Sequence, residues 1–576
     1  MKNSEVAQRL NEIASLMEFD GEPFFKIKAY ERAARSLEDS QTPVEDLLRT
    51  GEVGELPGVG KAISQKIADI VATGTCNYLD ELRARFPPTI LELLSVPGIG
   101  AKTAVSLYRE LGVAGLDDLR TAIEDGSIAG VPRLGPKTIE NLKARLERLA
   151  SQPQRMRLGD AWPIARGIVE ALCALPFAKN VVVAGSLRRM ERSVRDLDVI
   201  CTSSKPEDVL EAFVSLPIAE RVTAKGTTKA TIWAAPGISV DCRVVAHECF
   251  GNLLQHFTGN KEHNVLLREF AQRKNLKVSE YGIEDDKGAV VTCPDEAGVY
   301  ATLGLQFIPP ELRLGLDEIE LSRRGEIPTL VELADIRGDL HDHTDWSDGH
   351  CTIEQMARAA AERGREYLSI SDHSPGRAVA NGLSIERLVE QMKIVASVRT
   401  KYGVHLLTAS EVDIRADGAL DLPDEVLAQL DVVVASIHSS FRASKEQQTK
   451  RLLKAIENPY VSIIGHPTGE LIGEREGYEF DEDAVFRAAA RTGTALEINA
   501  NPARLDLSAD RARRARELGC TISIDTDAHH IEDMDNMLFG VATARKAGFT
   551  KDQVLNTRSL SDVQKFVRTK RDGLAG

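Results

Sequence analysis

The segment that decides the fold of the C-terminal half is residues 339–349, Asp-Leu-His-Asp-His-Thr-Asp-Trp-Ser-Asp-Gly. His341 and His343 alternate along a predicted short strand, so both imidazoles lie on the same side of it. Asp348 follows in a polar turn that Gly349 closes. The arrangement is typical of a metal site, but a single His-x-His pair is common, and later segments must supply the remaining ligands.

Short apolar runs typical of strands recur after this segment, and most of them end on a histidine or a carboxylate. They lie at residues 367–373, 405–413, 432–438, 461–467, 495–500 and 521–529. Helical patterns separate them, at residues 353–364, 384–399, 445–457, 481–492 and 508–518. Such βα repeats form a barrel-like parallel sheet, and side chains at the carboxyl ends of its strands converge on one mouth.

Nine candidate metal ligands follow from this convergence. They are His341, His343, Asp348, His373, Glu411, His438, His466, Asp527 and His529. One metal ion takes about four to six ligands, and a carboxylate can bridge two ions. Nine ligands therefore predict a cluster of two or three ions. The alternative, histidines that are satisfied core residues or metal-free bases, does not explain why all of them fall at strand ends.

Residues 337–576 resemble the PHP (polymerase and histidinol phosphatase) family of metal-dependent phosphoesterases. The resemblance implies a distorted (βα)7 barrel that uses Mn²⁺ or Zn²⁺, in two or three copies. It also implies how the ligands are shared: His341, His343, Glu411 and Asp527 hold one ion, Glu411, His438 and His466 a second, and Asp348, His373 and His529 a third. Near the predicted mouth, Arg377 and Arg415 are expected to contact substrate phosphates.

The composition is that of a soluble protein of several domains. The 576 residues are 43% hydrophobic and 28% charged, and no run is long enough to cross a membrane. Residues 1–16 lack the apolar core of a signal peptide, and the eight cysteines are scattered without a Cys-x-x-Cys pair. We therefore expect a cytoplasmic monomer. The net charge of −15 means that nucleic acid would be bound by local patches and backbone amides.

The region 1–150 is predicted to be helical, with two nearly identical glycine turns. Residues 56–61 read Leu-Pro-Gly-Val-Gly-Lys, residues 96–102 read Val-Pro-Gly-Ile-Gly-Ala-Lys, and a degenerate third copy lies at 131–137. Glycines at the start of a helix let backbone amides approach a phosphate, which the helix dipole favours. These helix-hairpin-helix turns predict contacts with a DNA backbone through Gly58, Gly60, Gly98 and Gly100.

The segment 24–30, Phe-Phe-Lys-Ile-Lys-Ala-Tyr, resembles the small N-terminal domain of family X DNA polymerases. In that family a lysine after the first glycine turn forms a Schiff base with an abasic sugar. Lys66 stands at the matching position, whereas the neighbouring family lysine is replaced by Ala62. The resemblance thus implies a lyase role for Lys66, with a phosphate contact as the alternative.

Three aspartates in the middle region predict a phosphoryl-transfer site. Asp196 and Asp198 alternate on a strand within Arg-Asp-Leu-Asp-Val-Ile, and Asp241 lies on a second strand. Hard carboxylate oxygens at this spacing suit two Mg²⁺ ions bound to substrate phosphates. Together with the preceding Gly185-Ser186 and two arginines, the pattern is typical of a nucleotidyltransferase.

The resemblance to family X polymerases extends through this region. It implies that Ser186 and Arg189 bind the triphosphate, that Phe257, Gly259 and Asn264 line the nucleotide pocket, and that Arg268 contacts DNA. Two positions depart from the family pattern. Arg195 replaces a glycine before the first aspartate, where its side chain crowds the approach of the backbone to phosphate. His256 replaces a tyrosine, which weakens any prediction about discrimination between deoxyribose and ribose.

The expected organisation is therefore multidomain: an α-helical helix-hairpin-helix region, an α+β palm and thumb, and the PHP barrel. The expected boundaries are 1–85 for a lyase-like domain, 86–150 for a second helix-hairpin-helix domain, 151–260 for the palm, 261–316 for the thumb, 317–336 for a linker and 337–576 for the barrel. The resemblance implies a DNA-repair enzyme that fills gaps with deoxynucleoside triphosphates on gapped or primer-template DNA and removes nucleotides from 3′ ends.

Two alternatives remain open at this point. The barrel could hydrolyse small phosphate esters while the polymerase half only tethers it, although the duplicated glycine turns argue against this. The polymerase half could instead have lost catalysis and present DNA to the nuclease, an alternative that Arg195 and His256 keep open.

Overall fold

The computed structural model describes residues 3–38, 44–95, 99, 101–131, 134–135, 139–140, 142–143, 155–377 and 380–574. The chain forms two compact units, Met1–Gln154 and Arg155–Gly576.

The smaller unit is helical in the residues that the structure describes. Its helices are α1 (Asn3–Asp20), α2 (Phe24–Glu38), α3 (Val44–Thr50), α4 (Lys61–Thr73), α5 (Asn77–Arg85), α6 (Ala101–Leu111) and α7 (Leu116–Glu124). Apolar residues at helical spacing form its core, such as Ile63, Ile67 and Ile70 of α4. Gly58 precedes α4 with φ of +90°, and a Cβ there would lie 2.9 Å from the Ala33 nitrogen, so this turn requires glycine.

The palm is a five-stranded sheet with the order β2-β4-β7-β6-β5. These strands are β2 (Ala178–Val183), β4 (Asp196–Ser203), β5 (Ala219–Lys225), β6 (Lys229–Ala234) and β7 (Ile238–Val245), and β1 (Met156–Arg157) pairs with β3 (Ser193–Val194). Helices α8 (Leu158–Cys173) and α10 (Pro206–Val214) cover one face, and α11 (Phe250–Thr258) covers the other. A short helix α9 (Gly185–Arg188) follows β2.

The thumb packs helices against a small antiparallel sheet. It contains α12 (Lys261–Gln272), β8 (Lys277–Ser279), β9 (Gly282–Glu284), β10 (Val290–Val291), α13 (Glu296–Thr302) and α14 (Glu318–Arg324). Arg313 is fully buried in it, and its charge is compensated by Glu296 at 2.6 Å.

The C-terminal part is a barrel of seven parallel strands among the described residues, paired in sequential order. The strands are β11 (Gly338–Asp339), β12 (Tyr367–Ile370), β13 (His405–Asp413), β14 (Val432–Ser436), β15 (Ile463–Ile464), β16 (Ala495–Asn499) and β17 (Ile522–Asp525). The helices are α15 (Ile353–Glu362), α16 (Ile385–Val398), α17 (Asp424–Leu427), α18 (Lys445–Glu457), α19 (Glu482–Thr492), α20 (Ala509–Glu517), α21 (Met537–Lys546) and α22 (Leu560–Leu574). The predicted βα barrel is confirmed.

Side chains join the first strand to the last and so nearly close the barrel. The Leu340 amide donates to Asp525 at 2.9 Å, and the Thr526 hydroxyl donates to Asp339 at 2.6 Å. Asn556, fully buried below these strands, donates to Asp525 at 2.8 Å and accepts the Ile524 amide at 2.6 Å. Closure therefore depends on hydrogen bonds between buried polar groups.

We expect Asn556→Ala to lower the free energy of unfolding of the larger unit by about 2 kcal/mol, because it leaves buried donors and acceptors unpaired. Urea unfolding followed by tryptophan fluorescence measures this, since all three tryptophans (Trp162, Trp233 and Trp346) lie in that unit. The exposed Gln429→Ala serves as the control. An unchanged urea midpoint for Asn556→Ala would show that closure does not depend on this side chain.

Candidate functional site

The structure brings all nine predicted barrel ligands together at the carboxyl ends of the strands. Glu411 of β13 lies in the middle of them and is almost fully buried. Five histidine nitrogens surround its carboxylate: His373 at 2.8 Å, His466 at 2.9 Å, His438 at 3.2 Å, His341 at 3.5 Å and His343 at 3.6 Å. A carboxylate in this position can bridge cations on both of its oxygens.

Two further carboxylates extend the cluster on the side of His343. Asp527 Oδ1 lies 3.2 Å from His343 Nε2 and 3.7 Å from His341 Nε2. Asp348 lies 3.4 Å from His373 Nε2 and 3.3 Å from His529 Nε2. Each carboxylate thus has imidazoles on two sides.

Candidate ligand atoms within 4.8 Å of one another form three groups in the described residues. These are His343, Asp348, His373 and His529; His341, His343 and Asp527; and His373, Glu411 and His438. The grouping differs from the one that the family resemblance implies, because His373 also falls with Glu411 and His438. His466 contacts the cluster through Glu411.

The donor set fits metal ions. Both ring nitrogens of His343 and Nε2 of His341 are buried and make no hydrogen bond to any residue that the structure describes. Buried nitrogens without partners are costly in a protein interior, whereas imidazole nitrogens beside carboxylates are what Zn²⁺ or Mn²⁺ binds. The cluster is therefore chemically suited to cations.

The charges of the cluster are strongly coupled. Burial opposes the ionisation of Glu411, but His438, His373 and His341 together lower its pKa well below the usual range. Burial likewise opposes protonation of His341, but Glu497, Glu411 and Asp527 raise its pKa well above the usual value. Burial and Arg504 lower the pKa of His466 to about 3. Without cations, a proton on His341 therefore helps to balance the Glu411 carboxylate.

Three residues that orient candidate ligands were not among the predicted site residues. Glu497 accepts a hydrogen bond from Nδ1 of His341 at 2.7 Å, and Asp413 lies 3.0 Å from Nδ1 of His438. Asn499 donates to Asp527 Oδ2 at 3.1 Å. Strand alternation could have indicated two of them. Asp413 lies two residues after Glu411 on β13, and Glu497 lies two residues before Asn499 on β16, so the members of each pair lie on the same face of their strand.

Four arginines lie in the segments that follow strands of the barrel. Nε of Arg504 is 3.6 Å from Asp527, and the Arg475 guanidinium lies 4.1 Å from the Phe441 ring. Arg475 donates to the Gly469 carbonyl at 2.7 and 3.0 Å, and burial, with smaller effects of Arg504 and Arg377, lowers its pKa. Nε of Arg377 is buried without a hydrogen bond to the described residues. Arg415 is exposed and donates to the Asp421 carbonyl at 3.5 Å.

In the palm, the parallel pairing of β4 with β7 places Asp198 directly beside Asp241, while Asp196 pairs with Ser239. Burial raises the pKa of Asp198 to about 6, and the neighbouring Asp196 and Asp241 add to the effect. Asp241 is held by the Thr231 hydroxyl and by Lys229, each at 2.6 Å. The three carboxylates therefore form one cluster of negative charge on two adjacent strands.

Gly185 supplies the space beside this cluster. A Cβ at this position would lie 2.3 Å from Oδ2 of Asp198, and the residue has φ of +64°. The glycine of the predicted Gly-Ser pair is thus required because the Asp198 carboxylate lies too close to its backbone to leave room for a side chain. Ser186 follows it in α9, and Arg195 is exposed next to Asp196.

The predicted nucleotide-binding residues lie around the end of α11. Arg189 donates to the Thr258 carbonyl, and Phe257 lies beneath the Arg243 guanidinium at 4.3 Å. Asn264 donates to the His256 carbonyl at 2.8 Å. Gly259 ends α11, and Arg268 is exposed on α12.

The predicted residues of the smaller unit are only partly described. Gly58 and Gly60 precede α4, whereas Gly98 and Gly100 lie outside the described residues. Lys66 is half-buried on α4, with Nζ 5.1 Å from the Tyr78 ring centre.

Family models match four segments of the chain. A helix-hairpin-helix domain matches residues 1–76, a SAM-like helix-hairpin-helix tandem 90–148, a DNA polymerase beta thumb 253–314 and a PHP domain 339–501. The DNA polymerase/3′-5′ exonuclease PolX of Bacillus subtilis (strain 168) is 40% identical over 572 residues, which is 99% of this chain and 100% of that protein. The chain belongs to the PolX family. Both resemblances inferred from the sequence are confirmed.

Shorter relatives carry a different name. A probable phosphatase of Thermoanaerobacter sp. (strain X514) is 32% identical over 41% of this chain and 97% of its own length. A probable phosphatase of Syntrophotalea carbinolica is 31% identical over 40% of this chain and 95% of its own length. Among the described residues, no helix has both the length and the apolar character needed to cross a membrane.

We expect Gly185→Ala to lower the kcat of primer extension by this PolX-family chain by at least about 100-fold, because the new methyl group displaces Asp198. Gly167→Ala in α8 is the matched control, since no atom lies within 4 Å of the position that its Cβ would take. Steady-state extension of a primer-template measures both variants. Wild-type kcat in Gly185→Ala would contradict the role of this close approach.

Proposed function

We propose that this chain is a DNA-repair enzyme with two active sites, a palm that fills short gaps with deoxynucleotides and a barrel that removes nucleotides from 3′ ends. The observation that carries the proposal is the presence of two separate carboxylate clusters in one compact unit. One contains oxygen ligands alone, and the other mixes carboxylates with imidazoles. Oxygen ligands suit Mg²⁺, and the mixed set suits Mn²⁺ or Zn²⁺.

In the palm, Asp196, Asp198 and Asp241 would hold two Mg²⁺. When bound, such ions favour ionisation of the primer 3′ hydroxyl and offset charge on the departing pyrophosphate. Ser186 and Arg189 bind the triphosphate, and Phe257, Gly259 and Asn264 line the nucleotide pocket. The contacts of Arg189 and Asn264 with α11 support this, because the same helix then holds the arginine proposed to bind the triphosphate and the asparagine proposed to line the nucleotide pocket.

In the barrel, the nine residues centred on Glu411 would hold two or three ions. When bound, such ions activate water and offset negative charge on the phosphodiester. Glu497 accepts the Nδ1 proton of His341 and so keeps its Nε2 free to act as a ligand; Asp413 does the same for His438. These two carboxylates orient the imidazoles before any cation arrives.

Guanidinium groups at the mouth would bind the DNA phosphates. Arg377 and Arg504 each have buried nitrogens without hydrogen bonds to the described residues, and arginine suits bidentate contacts with phosphate. The exposure of Arg415 favours a contact with the flanking DNA chain rather than with the scissile phosphate.

The remaining residues would grip the DNA. The turn with Gly58 and Gly60, and the second turn predicted from Gly98 and Gly100, would offer backbone amides to phosphates, and Arg268 would contact DNA near the palm. Lys66 is proposed as a lyase nucleophile. We propose the six-part division of the chain given above, with α14 of the predicted linker packed into the thumb through Ile319, and we propose that the enzyme acts as a monomer.

A second candidate function, hydrolysis of small phosphate monoesters by the barrel, is favoured by the relatives that are named probable phosphatases. It predicts turnover of p-nitrophenyl phosphate without DNA. The two functions share the barrel cluster and differ in the substrate that is bound at its mouth.

Separate substitutions should remove the two activities one at a time. Asp198→Asn should abolish primer extension and leave shortening of a labelled primer by Mn²⁺-loaded protein intact, whereas Glu411→Gln should do the reverse, each with a loss of at least about 1,000-fold. The exposed Glu446→Gln is the control. The measurement is a gel assay with and without deoxynucleotides.

Primer shortening that survives Glu411→Gln would contradict the nuclease assignment. Extension that survives Asp198→Asn would contradict the polymerase assignment. Turnover of p-nitrophenyl phosphate without any primer shortening would favour the second candidate.

A further inference from the structure

The palm and the barrel share a packed interface inside the larger unit. Leu505 and Phe539 of the barrel belong to the hydrophobic core of the palm, and the Trp162 ring of α8 meets Phe539 edge-on at 6.4 Å. Gly159 of α8 approaches so closely that a Cβ there would lie 2.5 Å from the Pro502 side chain. The palm therefore packs directly on the loop that follows β16.

Arg192 makes two of the polar contacts at this interface. Its guanidinium Nη2 donates to the Arg504 carbonyl at 2.9 Å and lies 3.0 Å from the Glu470 carboxylate. Glu470 lies in the loop after β15, and Arg504 lies in the loop after β16. One palm side chain thus holds two neighbouring loops of the barrel mouth.

Both of these loops belong to the candidate metal centre. The loop after β15 contains His466, and the loop after β16 carries Arg504, whose Nε is 3.6 Å from Asp527 Oδ2. The Asp506 carboxylate accepts the Thr468 and Gly469 amides at 3.0 and 2.9 Å, which joins the two loops to each other. A displacement of one loop is therefore transmitted to the other.

We propose that Arg192 of the palm is a positioning residue for the barrel: it holds the loop backbone so that the Arg504 guanidinium stays beside Asp527 and faces the substrate phosphate. The inference rests on the proposed exonuclease function and adds that the palm completes the nuclease site. Arg504 in this position has two effects of opposite sign. It favours binding of the phosphodiester, and it competes with cations for Asp527.

The opposite effects of Arg504 on hydrolysis and on Mn²⁺ affinity distinguish a positioning role of Arg192 from structural damage. If Arg192→Ala lets Arg504 move away from Asp527, hydrolysis slows while Mn²⁺ binds more tightly. If the substitution merely disorders the mouth, hydrolysis slows and Mn²⁺ binds more weakly. Arg157→Ala is the matched control, because Arg157 also joins the palm to the barrel, at 3.0 Å from Glu474, but through an exposed ion pair.

The experiment compares Arg192→Ala, Arg192→Lys, Arg504→Ala, the double variant Arg192→Ala/Arg504→Ala and Arg157→Ala in the full-length chain. Hydrolysis of bis(p-nitrophenyl) phosphate reports on the barrel without DNA. Titration of Mn²⁺ followed by electron paramagnetic resonance gives the Kd without any turnover. Thermal unfolding and primer extension verify that each variant is folded.

We expect Arg192→Ala and Arg504→Ala each to lower kcat/KM for the ester by about tenfold or more, with no further loss in the double variant, because both act through one side chain. Both should tighten Mn²⁺ binding about three- to tenfold. Arg192→Lys should recover part of the activity, and Arg157→Ala should behave as wild type.

Multiplicative losses in the double variant, weaker Mn²⁺ binding in Arg192→Ala, or equal losses in Arg157→Ala would each overturn the inference. If the wild-type protein hydrolyses neither DNA nor the ester, the proposed nuclease function fails instead. The Mn²⁺ titration then still decides whether Arg192 positions Arg504.

Discussion

The burial of the Glu411 carboxylate is the constraint on which the barrel mouth depends. A buried anion without compensation is too costly to persist in a folded protein, and here five imidazole nitrogens lie within 3.6 Å of it. Those imidazoles lie in the segments that follow β11, β12, β14 and β15, which are two strands on each side of β13. Only a parallel sheet that curves back on itself brings these ends together, so the site and the barrel require each other.

The palm also brings carboxylates together away from water, but it compensates their charge differently from the barrel. Pairing β4 with β7 in parallel puts Asp198 against Asp241, and burial with like charge raises the pKa of Asp198 to about 6. Lys229 and Thr231 offset the charge of Asp241 from the adjacent strand. Where the barrel uses imidazoles, the palm leaves a half-open cluster of oxygens, which is suited to ions that arrive with a substrate.

Much of the barrel fold and of its candidate site could be predicted from the sequence, because residues that can bind metal ions recur at the ends of successive predicted strands. Runs that end at His438 or Asp527 are recognisable from alternation and apolar content, and the repeat of βα units predicts that the ends converge. Likewise, the Asp-x-Asp spacing on a strand places both carboxylates on the same face. The grouping of the ligands could not be predicted, because the position of His373 between Glu411 and Asp348 depends on how loops pack. The arginines show the same limit: Arg475 and Arg504 lie in loops without periodicity, and the contact of Arg192 with the Arg504 carbonyl joins residues more than 300 positions apart.

Glu411 should therefore lie at the centre of a cluster of metal ions. Anomalous diffraction at the manganese edge, from crystals of the full-length protein grown with Mn²⁺, locates such ions without any assay of activity. We expect two or three anomalous peaks at the barrel mouth, with at least one peak in contact with Glu411. A mouth without anomalous peaks, or a single peak away from Glu411, would contradict this assignment.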